Sequence, residues 1–133
     1  MADKIQFDLV SPAKLLASVA VDMVVVPGAE GDFGAMAQHS PLISTVRPGV
    51  IEVHDGGKVI DRVFVAGGFS EVTAERVTVL AEAAYALTDI TDAIVAKHQD
   101  EAKAAEASAS TELERANAQR LAQVAAALEA ARK

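Results

Sequence analysis

The sequence has no cysteine and no tryptophan, and only one tyrosine and four phenylalanines in 133 residues. Without cysteine there can be no disulfide, no thiolate nucleophile and no cysteine-ligated metal. So few aromatics leave little for stacking platforms, so a sugar-binding sandwich is a poor reading. Lys and Arg number 12 against 19 Asp and Glu, a net charge of −7. That balance argues against nucleic acid, which calls for clustered cations. It also gives no attraction to an anionic lipid surface. No apolar run approaches the ~18–20 residues needed to span a bilayer. The longest, Val19 to Pro27, is interrupted by Asp22. The start, Met1 to Phe7, has neither the apolar stretch of a signal peptide nor an Arg- and Ser-rich transit pattern, so the expected compartment is a bacterial cytoplasm.

Glycine and proline are missing from one part of the chain only. All eight glycines and four prolines precede Phe69, and 15 of the 41 residues from Ala93 onward are alanine. The first part is therefore punctuated like a set of strands, and the second has nothing to break a helix. Ile5, Phe7 and Leu9 alternate with Lys4, Gln6 and Asp8. Val19, Val21, Met23 and Val25 continue this parity pattern, opposite Ala20, Asp22, Val24 and Val26. Asp55-Gly56-Gly57 between two apolar runs reads as a hairpin, because glycine supplies the positive φ of the turn. Phe69 to Thr73 and Val77 to Leu80 give two more short strands. Eight to ten such strands predict a two-layer β-sandwich over residues 1–87.

Residues 88–133 predict an antiparallel two-helix hairpin. Asp89 is placed at the first N-cap, with a helix from Ile90 to Ala107. Ser108 to Thr111 breaks it, and Thr111 with Glu114 forms a capping box for a helix from Glu112 to Ala131. Arg132 and Lys133 complement the negative end of that helix. Leu113, Asn117, Leu121, Val124 and Leu128 share one face, opposite a first helix that offers Ile90, Ile94 and mostly alanine. So thin a seam predicts that the hairpin depends on docking to something else.

Pro27 to Ile43 is the most informative stretch, with Gly28, Gly31 and Gly34 at a spacing of three. It reads as a surface loop shaped for contact. A phosphate-binding loop would need Lys and Ser or Thr after the glycines and a helix to follow. Here no Lys follows Gly34, and Pro41 leads into Leu42-Ile43. His39, His54 and His98 are scattered, with no metal-ligand spacing. No Ser stands in a Gly-x-Ser-x-Gly elbow. The residues hold no catalytic constellation, and neither a metal nor a cofactor is expected.

Several motifs, in order, carry a resemblance that spans essentially the whole chain. Glu30-Gly-Asp-Phe-Gly34 is followed by His39-Ser-Pro-Leu-Ile43, Arg47-Pro-Gly-Val50, Val65-Ala-Gly-Gly-Phe-Ser-Glu-Val72 and Val77-Thr-Val-Leu-Ala81. Together they resemble the epsilon subunit of bacterial F-type ATP synthase, whose signatures are close to Glu-Gly-[Glu/Asp]-[Leu/Phe]-Gly, His-[Ala/Ser]-Pro-Leu and [Lys/Arg]-Pro-Gly. The resemblance implies a β-sandwich with a helical hairpin. It implies a non-catalytic rotor subunit that joins the gamma subunit to the c-ring, peripheral to the cytoplasmic face of the inner membrane and without membrane insertion. On that reading Glu30, Asp32, Met36, His39, Pro41 and Leu42 contact the c-ring or gamma, the two carboxylates facing a basic residue of the ring. In many relatives the hairpin also binds ATP or restrains hydrolysis by reaching the alpha/beta catalytic head. The family's nucleotide motif, [Ile/Leu]-Asp-x-x-Arg-Ala, falls on Ile90 to Val95. Only Ile90 fits, Asp92 lying one place late; Thr91 replaces the Asp and Ile94 the Arg. Losing the guanidinium predicts weak or absent ATP binding. A free-standing nucleotide sensor is disfavoured for the same reason. With only Arg115, Arg120, Arg132 and Lys133 basic in the second helix, insertion against an acidic head is disfavoured too.

Overall fold

A computed structural model describes residues 3–132. Ten strands precede the helices: β1 (Ile5–Val10), β2 (Leu15–Val21), β3 (Met23–Gly28), β4 (Gly31–Met36), β5 (Leu42–Val46), β6 (Gly49–Asp55), β7 (Lys58–Val65), β8 (Gly68–Val72), β9 (Arg76–Ala81) and β10 (Ala84–Ala86). A 3-10 turn at Leu87–Asp89 leads to α1 (Asp92–Ser108) and α2 (Glu112–Arg132). The expected β-sandwich and helical hairpin are both present.

The strand order is β10-β7-β6-β3-β5-β8-β9-β1-β2, with β4 on β3. The sheet curls on itself, and β3 and β5 touch through a single pair, Gly28 with Val46. Alternation dictates the curl. Ile5, Phe7 and Leu9 of β1, Val24 and Val26 of β3, Ile51 and Val53 of β6, and Val77 and Val79 of β9 are all almost fully buried in one cluster. Each of these four strands hides one face, so the layers must close over each other.

A second, smaller cluster joins helices to sheet: Phe64, Ala66, Ile90, Val95, Val124 and Leu128. β7 serves both clusters. Val63 and Val65 face the sandwich interior while Phe64 faces the helices. That is why Val63-Phe64-Val65 is apolar without a break. Tyr85 Oη lies 3.0 Å from His98 Nε2, and Arg120 pairs with Glu82 at 2.8 Å, so both helices are tied to the sheet. The hairpin's expected dependence on docking thus has a partner within the chain.

Several local expectations need correction. The Pro27 to Ile43 stretch is not a loop throughout: Gly31 to Met36 forms β4, a hairpin with β3 in which Gly28 faces Gly31 across Ala29-Glu30. Its alternation survives in Phe33 and Ala35, the latter fully buried, but glycines between them hide the pattern. At Gly28 a Cβ would lie 2.8 Å from the Gly31 carbonyl oxygen, so the tight turn itself requires glycine.

The run from Val19 to Val26 is two strands. At Asp22 the chain bends, its N–H donating to the His54 carbonyl at 3.1 Å and its carboxylate accepting from Gly56 N–H at 2.8 Å. Buried parity therefore switches, from Val21 to Val24 and Val26.

Thr91, not Asp89, caps α1, its hydroxyl accepting from Ile94 N–H. Ile90 must stay extended to reach the second cluster, so the helix starts two residues late. The Thr111–Glu114 box forms as expected, with Glu114 N–H to Thr111 Oγ1 at 3.1 Å and Thr111 N–H to Glu114 Oε1 at 3.2 Å. Leu113 does not join the seam; it is 82% exposed at the tip. The buried face of α2 runs through Ala118, Val124, Ala125 and Leu128. Lys133 lies outside the described residues.

Candidate partner-binding surface

The six residues expected to make partner contacts fall at two ends of β4. Glu30 is exposed in the β3–β4 turn, and Asp32 is the second residue of β4. Met36 closes β4 at 53% exposure, and His39 and Pro41 sit in the next turn before Leu42 opens β5. Strand rise of about 3.3 Å per residue sets the ends of β4 roughly 17 Å apart. Glu30 and Leu42 nevertheless both line one cleft of about 450 Å³ between the β3–β4 turn and β5, with Phe33 and Ile43.

Asp32 is not a free anion. Arg47 pairs with its carboxylate and also donates to the Gly28 carbonyl, so the guanidinium clamps the turn from below. Glu30 is left as the outward carboxylate of this tip. His39 N–H donates to the Met36 carbonyl at 3.1 Å, which makes Met36 to His39 a closed turn.

A broader surface has no counterpart among the six. On the outer face of the sheet, Phe69 (59% exposed) pairs across with Leu80 (53%), Leu80 with Val10, and Val10 with Leu15 (57%). Ile43, 74% exposed on β5, lies nearby and shares a cleft with Phe69 and Leu80. A row of large apolar side chains across four neighbouring strands marks an interaction surface rather than scattered exposure. The signal was present in the sequence: in Phe69 to Val72 and Val77 to Ala81 apolar residues occupy both parities. Gly68 underlies the row. With φ at +144°, a Cβ there would lie 1.9 Å from the Leu80 carbonyl oxygen.

The other end of the same face is polar. Asp8, nearly buried, accepts from Ser18 Oγ at 2.7 Å and Gln6 Nε2 at 3.2 Å, and pairs with Arg76. The Ser18 bond first, then Gln6 and Arg76, hold its carboxyl below the usual carboxylate range.

The helical motif is differently disposed from a ligand site. Ile90 is 7% exposed, inside the second cluster. Asp92 is paired with Arg132, joining the first turn of α1 to the last turn of α2. Thr91 is occupied as a cap, and Ile94 packs against the second cluster. Among the described residues no helix is long and apolar enough to cross a membrane.

Residues 4–87 match the family profile described as ATP synthase, Delta/Epsilon chain, beta-sandwich domain. The chain is 60% identical over 131 residues to the ATP synthase epsilon chain of Paramagnetospirillum magneticum, covering 98% of each. It is 52% identical over 133 residues to the ATP synthase epsilon chain of Rhodospirillum rubrum, covering 100% of this chain and 99% of that one. Among solved structures, a chain of the Euglena gracilis mitochondrial ATP synthase (OSCP/F1/c-ring) superposes with a TM-score of 0.76 at 27% identity, covering 98% of this chain and 82% of that chain. A chain of the Tetrahymena thermophila enzyme, from its central stalk and c-ring, shares the fold with a TM-score of 0.74 at 13% identity, covering 99% and 98%. An outward apolar row, an acidic turn and a helical hairpin folded onto the same sheet are thus features of a chain that belongs to the ATP synthase delta/epsilon family.

Proposed function

We propose that the chain is a non-catalytic subunit of the central stalk of a proton-translocating F-type ATP synthase, seated between the gamma subunit and the c-ring. The observation that carries this is the apolar row of exposed Leu15, Phe69 and Leu80 with half-buried Val10, on a chain whose sequence matches an ATP synthase epsilon chain over 98% of its length. A stalk subunit must transmit torque without slipping, which calls for a broad, water-excluding contact with several anchors. The row supplies that toward gamma, and the Met36 to Leu42 segment, at the opposite end of the strands beside the β8–β9 turn, offers a second contact. The Glu30 tip, with Asp32 neutralised by Arg47, offers one exposed negative charge to a basic group of the ring. The complex lies at the cytoplasmic face of the bacterial inner membrane, with residues 1–87 as the seat and 88–133 as a separate helical unit.

For that unit, a nucleotide-binding role is disfavoured. Ile90 is core, Asp92 is paired with Arg132, and Ile94 leaves the first turn of α1 without a cation of its own. A regulatory reach of the hairpin toward the alpha/beta head requires leaving the second cluster.

The test is assembly. Tagged chain should retain gamma and the c-ring from reconstituted complex, and Phe69→Asp with Leu80→Asp should abolish that retention while the isolated chain stays folded. Glu30→Lys should weaken coupling of proton flow to ATP synthesis. Retention of gamma by the doubly charged variant would refute the seat.

A further inference from the structure

Gln38 has φ at +66°, the one non-glycine residue with positive φ among those described. It is the third residue of the turn closed by His39 N–H and the Met36 carbonyl. In a type II turn that position demands positive φ and ordinarily takes glycine. Strain of this kind persists only where surroundings hold it, and it gathers at functional sites. Two contacts hold it here. Gln38 N–H donates to the Ala74 carbonyl at 2.6 Å, in the β8–β9 turn. The Gln38 side-chain amide donates to Asp3 Oδ2 at 3.2 Å, just before β1.

The next residue shows what the turn presents. His39 Nδ1 lies 2.6 Å from the Ser40 carbonyl oxygen. A carbonyl only accepts, so in the neutral ring Nδ1 carries the proton and Nε2 is left as an acceptor. No hydrogen bond to Nε2 forms among the described residues. Met36, Pro41 and Leu42, neighbours of His39 along the chain, are exposed apolar residues. Under a partner that covers these residues, a hydrogen bond to Nε2 would be shielded from water and count for more than on an open surface.

We infer that Gln38 is a positioning residue: it holds the Met36–His39 turn in its left-handed form so that His39 offers a fixed, unprotonated Nε2 to an N–H donor of the gamma subunit. This rests on the stalk seat proposed above. The second half of the inference, the tautomer, is a property of the free chain.

Two variants separate backbone geometry from side-chain chemistry. Gln38→Gly keeps the left-handed form accessible; Gln38→Val excludes it, because a β-branched side chain is a genuine outlier there. Nitrogen-15 NMR of the full chain should show His39 protonated at Nδ1 in the native protein and in Gln38→Gly, and a mixture in Gln38→Val. Binding to a gamma–c-ring subcomplex should weaken about 10-fold or more in Gln38→Val and stay within about 3-fold in Gln38→Gly, the former equal to about 1.4 kcal/mol. Native His39 protonated at Nε2, or Gln38→Val binding as tightly as the native chain with unchanged tautomer, overturns the inference. Failure of the native chain to bind the subcomplex sinks the seat instead, and the NMR result still decides the tautomer.

Discussion

Two residues show how single side chains, or the lack of one, set the outer sheet face. Gly68 lets β8 approach β9 so closely that any Cβ would collide with backbone, and its φ of +144° strains every other residue. Gly68→Ala should therefore cost about 3 kcal/mol or more, above the ordinary range for point mutations. Urea denaturation followed by circular dichroism measures it; an unchanged midpoint would mean the strands separate freely. Asp8 governs acid stability. Because its folded pKa lies below its unfolded one, it stabilises the fold above about pH 3.9, and that contribution is lost as pH falls through the folded value. Asp8→Asn should lower stability at neutral pH and flatten the acid limb of the stability curve. An acid limb identical to that of the native chain would show that Ser18, Gln6 and Arg76 do not favour the ionised form. The cue for Asp8 was misleading in the sequence, where it read as one more solvent-facing residue of β1. Gln6 is local, but the other two partners of Asp8 come from β2 and β9, the latter 68 positions away, which only the fold brings together.

At the scale of elements, strands whose core parity was unbroken were legible, and those interrupted by glycine were not. β1 and β9 follow their alternation, whereas β4 was missed because Gly31 and Gly34 leave only Phe33 and Ala35 to carry the pattern. Helix boundaries failed for a tertiary reason. Asp89 is a sound N-cap by local rules, but burial of Ile90 beside Phe64 and Val124 overrides it. Expectations for the candidate site fell on the motif from Glu30 to Leu42 and passed over Phe69 and Leu80, whose side chains become one exposed row only through the registers of β8, β9 and β1. The hairpin's attachment yields a prediction of its own. Leu128 is fully buried in the second cluster, so Leu128→Ala should cost about 2–5 kcal/mol. The loss should fall on the helices: amide exchange should accelerate throughout α1 and α2 and stay slow in β1, β6 and β9. Equal acceleration everywhere would mean that the two clusters melt as one.

For the molecule as a whole, two cores share one wall. The sandwich interior contains no helix residue, so on the proposed stalk reading the seat keeps its core whatever the hairpin does. Adding Mg-ATP to the isolated chain should release or absorb negligible heat up to millimolar concentrations, since nothing in the first helical turn replaces the missing Arg. Micromolar binding by calorimetry would contradict that expectation and restore the hairpin as a sensor.

The parallel pairing of β1 with β9, Gln6 against Arg76, has a bearing on biosynthesis. Translation proceeds at about 5–20 residues per second, so the first strand must wait some seconds, on the order of 70 residues of elongation, for its neighbour. Through that interval it has only β2, whose Leu15, Leu16 and Val19 remain exposed even in the finished fold. A nascent chain held open in this way is exposed to aggregation, and ribosome-bound chaperones acting on its first 80 residues should govern how much of it survives to assemble.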